Sequence, residues 1–173
     1  MAKEEILDEI SLEVRSFDMS RGNYEHRRKK ITRSMDEILS SKQSENCHED
    51  GLLYNHFAGK QKIPTIYVET IKRDWLRESG SKIPATIEGH VFIDALIGKK
   101  FVPVDPRYGR TEIVDNCFIM NPKGKRIEYE VLGIGTDYSR IHLKNGSELE
   151  IDTVSIQTIK DIRKAIQKVF MKS

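Results

Sequence analysis

An α+β fold is predicted, with N-terminal helices packed on an antiparallel sheet and one C-terminal helix closing the chain. Three observations lead there. Apolar residues recur at helical spacing over about the first forty positions. Past Gly59 the pattern changes to short β-branched and aromatic runs divided by turn residues. These runs follow one another without the intervening helices of βαβ units, so antiparallel pairing is expected.

The chain has 173 residues and lacks internal repeats, low-complexity tracts and Gly/Ser/Pro linkers. It therefore reads as one domain able to bury a single core. Residues 1–45 are expected to hold the N-terminal helices, 46–106 the core of the site, and 107–173 further strands and the closing helix. The 29 Lys and Arg nearly balance the 27 Asp and Glu, which weighs against a nucleic-acid partner. Met1 to Ile10 is charged and lacks the apolar run of about 7–15 residues found in a signal peptide. No stretch approaches the ~18 apolar residues of a membrane span. A soluble cytoplasmic protein without a membrane partner is expected, and the oligomeric state stays open.

Taken in order, Ile6, Leu7, Ile10 and Val14 mark a first helix, and Ile31, Met35, Ile38 and Leu39 a second. Gly22-Asn23 breaks the pattern between them. The basic run His26 to Lys30 reads as a solvated helix face, with RNA binding a distant alternative. Asn46 is a good N-cap with Glu49 three residues on, the spacing of a capping box. Leu52, Leu53 and Phe57 give that helix its stripe, and Gly59 is a candidate terminator. Ile63 to Ile71 reads as a strand, and 72–86 as a loop or broken helical turn. His90–Ile97 and Lys100–Pro106 form a hairpin about Gly98-Lys99. One strand is expected within Thr111–Met120, then a turn at Asn121–Gly124. Strands follow at Arg126–Ile134, Ser139–Lys144 and Glu148–Val154, the last two joined by a type I′ turn at Asn145-Gly146. Ile156, Ile159, Ile162, Ile166 and Val169 line the closing helix.

Two cysteines make neither a disulfide scaffold nor a four-thiolate zinc site. Cys47 stands at the first position of the capped helix. There the orphan N–H groups favour a thiolate and begin an oxyanion hole, while Glu49 and Asp50 oppose the charge. Cys47 therefore needs a base. A type II′ turn at Gly98-Lys99 pairs Ile97 with Lys100 and, by register, Phe92 with Asp105. His90 then lies one step along the same face, diagonal to Asp105 at roughly 7–8 Å between Cα atoms. A carboxylate there holds the imidazole tautomer and stabilises an imidazolium. A slip of one residue would place the two on opposite faces. Taken singly, each has a plainer reading: an inert buried Cys, a satisfied strand His, an Asp-Pro turn.

Two segments carry a resemblance. ENCHEDGLLYNHFAGKQKIPTIYVET resembles the Gly-x-Cys helix start, aliphatic helix and Gly-Ile-Pro-like turn into a strand of the transglutaminase-like superfamily. GHVFIDALIGKKFVPVDP resembles its second block, His-x-Trp-x-Glu, a hairpin, and an aromatic residue before Val-Asp-Pro. The resemblance spans about residues 35–106. It implies a papain-like α+β core and assigns Cys47, His90 and Asp105 as nucleophile, base and orienting acid. It implies acyl chemistry on an amide, as peptidase, amidase or transglutaminase, with a protein or peptide substrate and no cofactor.

The chain departs from the family pattern at Glu45 for Gly, Phe92 and Phe101 for Trp, and Asp94 for Glu. Glu45 crowds the sulfur or selects a cationic substrate. Gln43 and Asn46 are candidate oxyanion-hole donors; Glu45, Trp75 and Phe92 are candidates for lining a cleft. The acidic residues at 45, 49 and 50 are expected where substrate approaches. No metal site is expected, because His48 and His56 stand roughly 80° apart around a helix at ~100° per residue. Cys117 reads as a small core residue. The alternative to an enzyme is a non-catalytic protein-binding module on the same fold.

Overall fold

The computed structural model describes residues 4–19, 33–79, 89–135, 140–143 and 148–150. The basic run 26–30, the 145–146 turn and the helix expected over 156–169 lie outside them.

Helix α1 (Glu5–Arg15) turns Leu7, Ile10 and Val14 inward at helical spacing, as its sequence requires. Helix α2 (Met35–Ser41) starts at a full capping box, in which the Ser34 hydroxyl accepts from the Glu37 N–H and the Glu37 carboxylate from the Ser34 N–H. Helix α3 (Cys47–Lys60), at 14 residues, is the longest among the described residues. It runs through Gly59, the expected terminator, and stops where Lys62 takes the left-handed conformation at φ 56°. Strand β1 (Asp18–Met19) pairs in parallel with β2 (Gln43–Ser44), tying the end of α1 to the segment that leads into Cys47.

Strand β3 (Thr65–Lys72) leads directly into a regular two-turn helix, α4 (Arg73–Ser79), where a loop or broken helical turn was expected. Burial of Trp75 in the main core outweighs the polar composition of that stretch. Strands β4 (Gly89–Ile97) and β5 (Lys100–Asp105) form the expected hairpin, with Ile97 opposite Lys100 and Ile93 opposite Val104. Gly98 supplies the positive φ (65°) that the first turn position of a type II′ connection requires.

Between 111 and 120 two strands stand where one was expected. These are β7 (Glu112–Val114) and β8 (Cys117–Met120), joined by Asp115 and Asn116, both at positive φ (50° and 62°). Short Asp and Asn side chains tolerate that conformation, so the two residues make a type I′ hairpin without glycine. Short β6 (Gly109–Arg110) and the later strands β9 (Ile127–Gly135), β10 (Arg140–Leu143) and β11 (Glu148–Glu150) complete the sheet.

The sheet runs β11-β10-β9-β3-β4-β5-β6, with β8 also on β9 and β7 on β8, and all these pairings are antiparallel. The α+β class is thus observed: several helices and one large antiparallel sheet. One core joins α1 and α3 to one sheet face through Leu7, Leu53, Tyr54, Tyr67, Val91 and Ile93. A smaller cluster of Val68, Phe92, Phe118 and Tyr129 covers the other parity. Among the described residues no helix is long and apolar enough to cross a membrane.

Candidate active site

The first turn of α3 is fixed from below and from the side. Asn46 caps it by accepting the Glu49 N–H at 3.0 Å. The reciprocal half of the expected capping box does not form, because the buried Glu49 carboxylate turns to the Glu45 N–H (2.8 Å) and to Arg33. Arg33 meets it through two side-chain nitrogens, Nε at 3.1 Å and Nη2 at 2.8 Å, and also donates to the Gln43 carbonyl at 2.8 Å. Asp50, also buried, accepts from Arg107 Nε at 2.6 Å. Two of the three acids beside Cys47 are therefore paired inside the protein and do not present charge to an incoming substrate. The reason is tertiary: each meets an arginine distant in sequence.

Cys47 is a free, partly buried thiol at the helix start, where its own N–H has no intrahelical acceptor. His90 sits at the beginning of β4, with its backbone carbonyl accepting from Thr70 Oγ1 at 2.9 Å. Its ring packs edge-on against Phe92, centroids 5.0 Å apart, and lies 5.5 Å from the Tyr129 ring. His90 Nε2 is 2.8 Å from Asp105 Oδ2, a short charge-assisted contact. Asp105 is almost wholly buried, and its other oxygen accepts the N–H groups of Arg107 (2.9 Å) and Tyr108 (3.0 Å). That leaves Nδ1 as the ring nitrogen Asp105 does not engage. Burial by itself would lower the imidazole pKa. Hydrogen bonds to Asp105 and Cys47, with their charges, outweigh it and raise His90 to about 10. The imidazolium is the favoured form at neutral pH.

A second group of titratable side chains adjoins it. His48 shares a hydrogen bond of 2.8 Å with the Tyr67 hydroxyl, and its Nδ1 lies 3.6 Å from Glu69 Oε2. Burial, reinforced by the His90 charge, drives His48 down to about 4. Burial lifts Glu69 to about 8 against the opposing pull of His90. Its Oε2 is enclosed and finds no hydrogen-bond partner among the described residues.

A pH prediction follows from Glu69. Its folded pKa is raised from 4.5, so the folded state favours the neutral acid. Its contribution is intact below about 4.5 and is lost as pH rises through about 8. Glu69→Gln keeps the shape and cannot ionise. The variant is expected to gain stability over wild type between pH 5 and pH 9, on the order of 3 kcal/mol. Paired thermal melts at the two pH values check this; a stability difference that does not change with pH would refute it.

Of the expected site residues, Asp105 is hydrogen-bonded to His90, and Cys47 lies near enough to His90 to help raise its pKa. Phe92 is fully buried and supports the His90 ring from beside it, so it does not line a cleft. Trp75 is likewise a core residue, 6% exposed. Glu45 is half-buried, 3.7 Å from Arg33 Nε. Gln43 is exposed on β2, and the Asn46 side-chain oxygen serves the helix cap. Cys117 is a buried core thiol on β8. Among the described residues no group of His, Cys, Asp and Glu is placed to hold a metal ion.

Sequence reasoning missed Arg33, Arg107 and Glu69. Arg107 alone had a signal, since it follows Asp105-Pro106 directly. Compared with known proteins, the chain matches no family model, and no curated protein or solved structure is significantly similar to it.

Proposed function

We propose that the chain is a thiol enzyme carrying out acyl chemistry on an amide substrate, on a transglutaminase-like core. One observation carries the reading: His90 lies 2.8 Å from a buried carboxylate and interacts electrostatically with the thiol at a helix N-terminus. A buried imidazole held protonated by these two partners is arranged for an ion-paired thiolate.

In this reading the Cys47 thiolate attacks the amide carbonyl carbon. The oxyanion that forms is held by the Cys47 N–H and a second donor, for which Gln43 and Asn46 stand nearest in sequence. His90 gives its Nδ1 proton to the leaving nitrogen, the C–N bond breaks, and a thioester remains on Cys47. Water or an amine then attacks the thioester. His90 takes up the proton, the C–S bond breaks, and the thiolate–imidazolium pair is restored. Asp105 holds Nε2 throughout. A protein or peptide amide is the substrate, and no step calls for a cofactor.

The test is alkylation of Cys47 by iodoacetamide at pH 6.5, followed by mass spectrometry, in wild type and His90→Ala. Removal of the imidazole is expected to slow labelling by at least about tenfold. Equal rates would leave a thiol that His90 does not activate, and a binding module in place of an enzyme.

A further inference from the structure

The Cys47 helix and the His90–Asp105 pair belong to separate layers, and something must hold them in register. Arg107 touches both. Its backbone N–H donates to Asp105 Oδ1 at 2.9 Å, fixing the carboxylate whose other oxygen faces His90. Its side chain leaves the sheet, donates through Nε to Asp50 on the first turn of α3 at 2.6 Å, and through Nη2 to the Phe17 carbonyl at 3.3 Å. Its own carbonyl accepts from Arg15 Nε at 2.8 Å. Asp50 lies three residues beyond Cys47, and the Arg107 and Asp50 side chains are only 10% and 4% exposed. A guanidinium can span these acceptors because its donors are fixed in a planar fork.

We propose that Arg107 is a positioning residue that holds the Asp105 carboxylate, and through it His90, in register with the Cys47 end of α3. The proposal rests on the thiol-enzyme reading above. Arg107 touches neither the sulfur nor the imidazole. It acts by anchoring the loop whose N–H groups aim Asp105.

The experiment uses Arg107→Met and the double variant Asp50→Leu/Arg107→Met, with wild type and His90→Ala as references. The single variant leaves Asp50 buried without its cation, so it is expected to melt well below wild type. The double variant buries no charge at this position and is expected to recover most of the melting temperature, which keeps the test readable where the single variant does not fold. The deciding readout is the pH dependence of Cys47 alkylation by iodoacetamide. In both variants it is expected to move up by about one unit, with the rate at pH 6.5 down about tenfold. A double variant that regains stability and alkylates within about twofold of wild type would overturn the positioning role and leave Arg107 a structural ion pair. If wild type alkylates no faster than His90→Ala, the thiol-enzyme reading itself fails, and the proposal falls with it.

Discussion

Replacing Asp105 by asparagine is expected to slow iodoacetamide labelling of Cys47 at pH 6.5 by roughly 100-fold, about two pKa units lost from the His90 imidazolium. Asparagine keeps the shape and the carbonyl oxygen that accepts from Arg107 and Tyr108 at 2.9 and 3.0 Å. That geometry turns the amide NH2 toward His90 Nε2, where a carboxylate oxygen stood at 2.8 Å. A donor then faces a donor, and the ring escapes the conflict by giving up its Nε2 proton. Burial, the largest single influence on His90, already opposes the charged form and would no longer be outweighed. The fold should survive, because the Arg107 and Tyr108 bonds remain. Labelling within about threefold of wild type, in a variant with an unchanged circular dichroism spectrum, would show that Asp105 does not sustain the imidazolium.

Gly51→Val should have the largest effect on stability, about 3 kcal/mol or more by urea denaturation. Gly51 lies one helical turn after Cys47, on the same face of α3. A Cβ built there would stand 2.7 Å from Val91 Cγ1 and 2.8 Å from Tyr67 Cε2. Both neighbours are fully buried, so neither can swing aside. Gly51→Ala separates two opposed effects. Helix propensity favours alanine by roughly 1 kcal/mol, whereas overpacking costs about 1–3 kcal/mol. Packing is expected to win, leaving a net loss and a helix start pushed away from β4. Because Val91 adjoins His90 in that strand, slower Cys47 labelling should accompany the loss. A stabilised Gly51→Ala variant would mean that the helix and the sheet are less closely seated than these distances require.

Much of this architecture is legible in local pattern. The β4–β5 register follows from Gly98-Lys99 and strand parity, and with it the diagonal that sets His90 beside Asp105. The cap at Asn46 follows from its residue type and spacing, and so does the position of Cys47 at a helix start. The failures have identifiable causes. Lys62, Asp115 and Asn116 adopt positive φ without glycine, which moved one helix end and hid one hairpin. Residues 73–79 are mostly polar, and the docking of Trp75 into the core favours a helix there.

Residue spacing along the chain was thus sufficient for the class of fold, the hairpin register, the helix start at Cys47 and the pairing of His90 with Asp105, because each depends on contacts between near neighbours. The fate of the charges waited on folding. Glu49 and Asp50 look in sequence like acids open to a substrate, yet they are buried against Arg33 and Arg107, 16 and 57 residues away. Glu69 looks like an ordinary strand residue, yet enclosure lifts it to about 8. Burial and long-range partners set the cost of a charge, and neither is encoded in local spacing. The near-neutral composition therefore conceals a site whose electrostatics arise only when helix, sheet and loop meet.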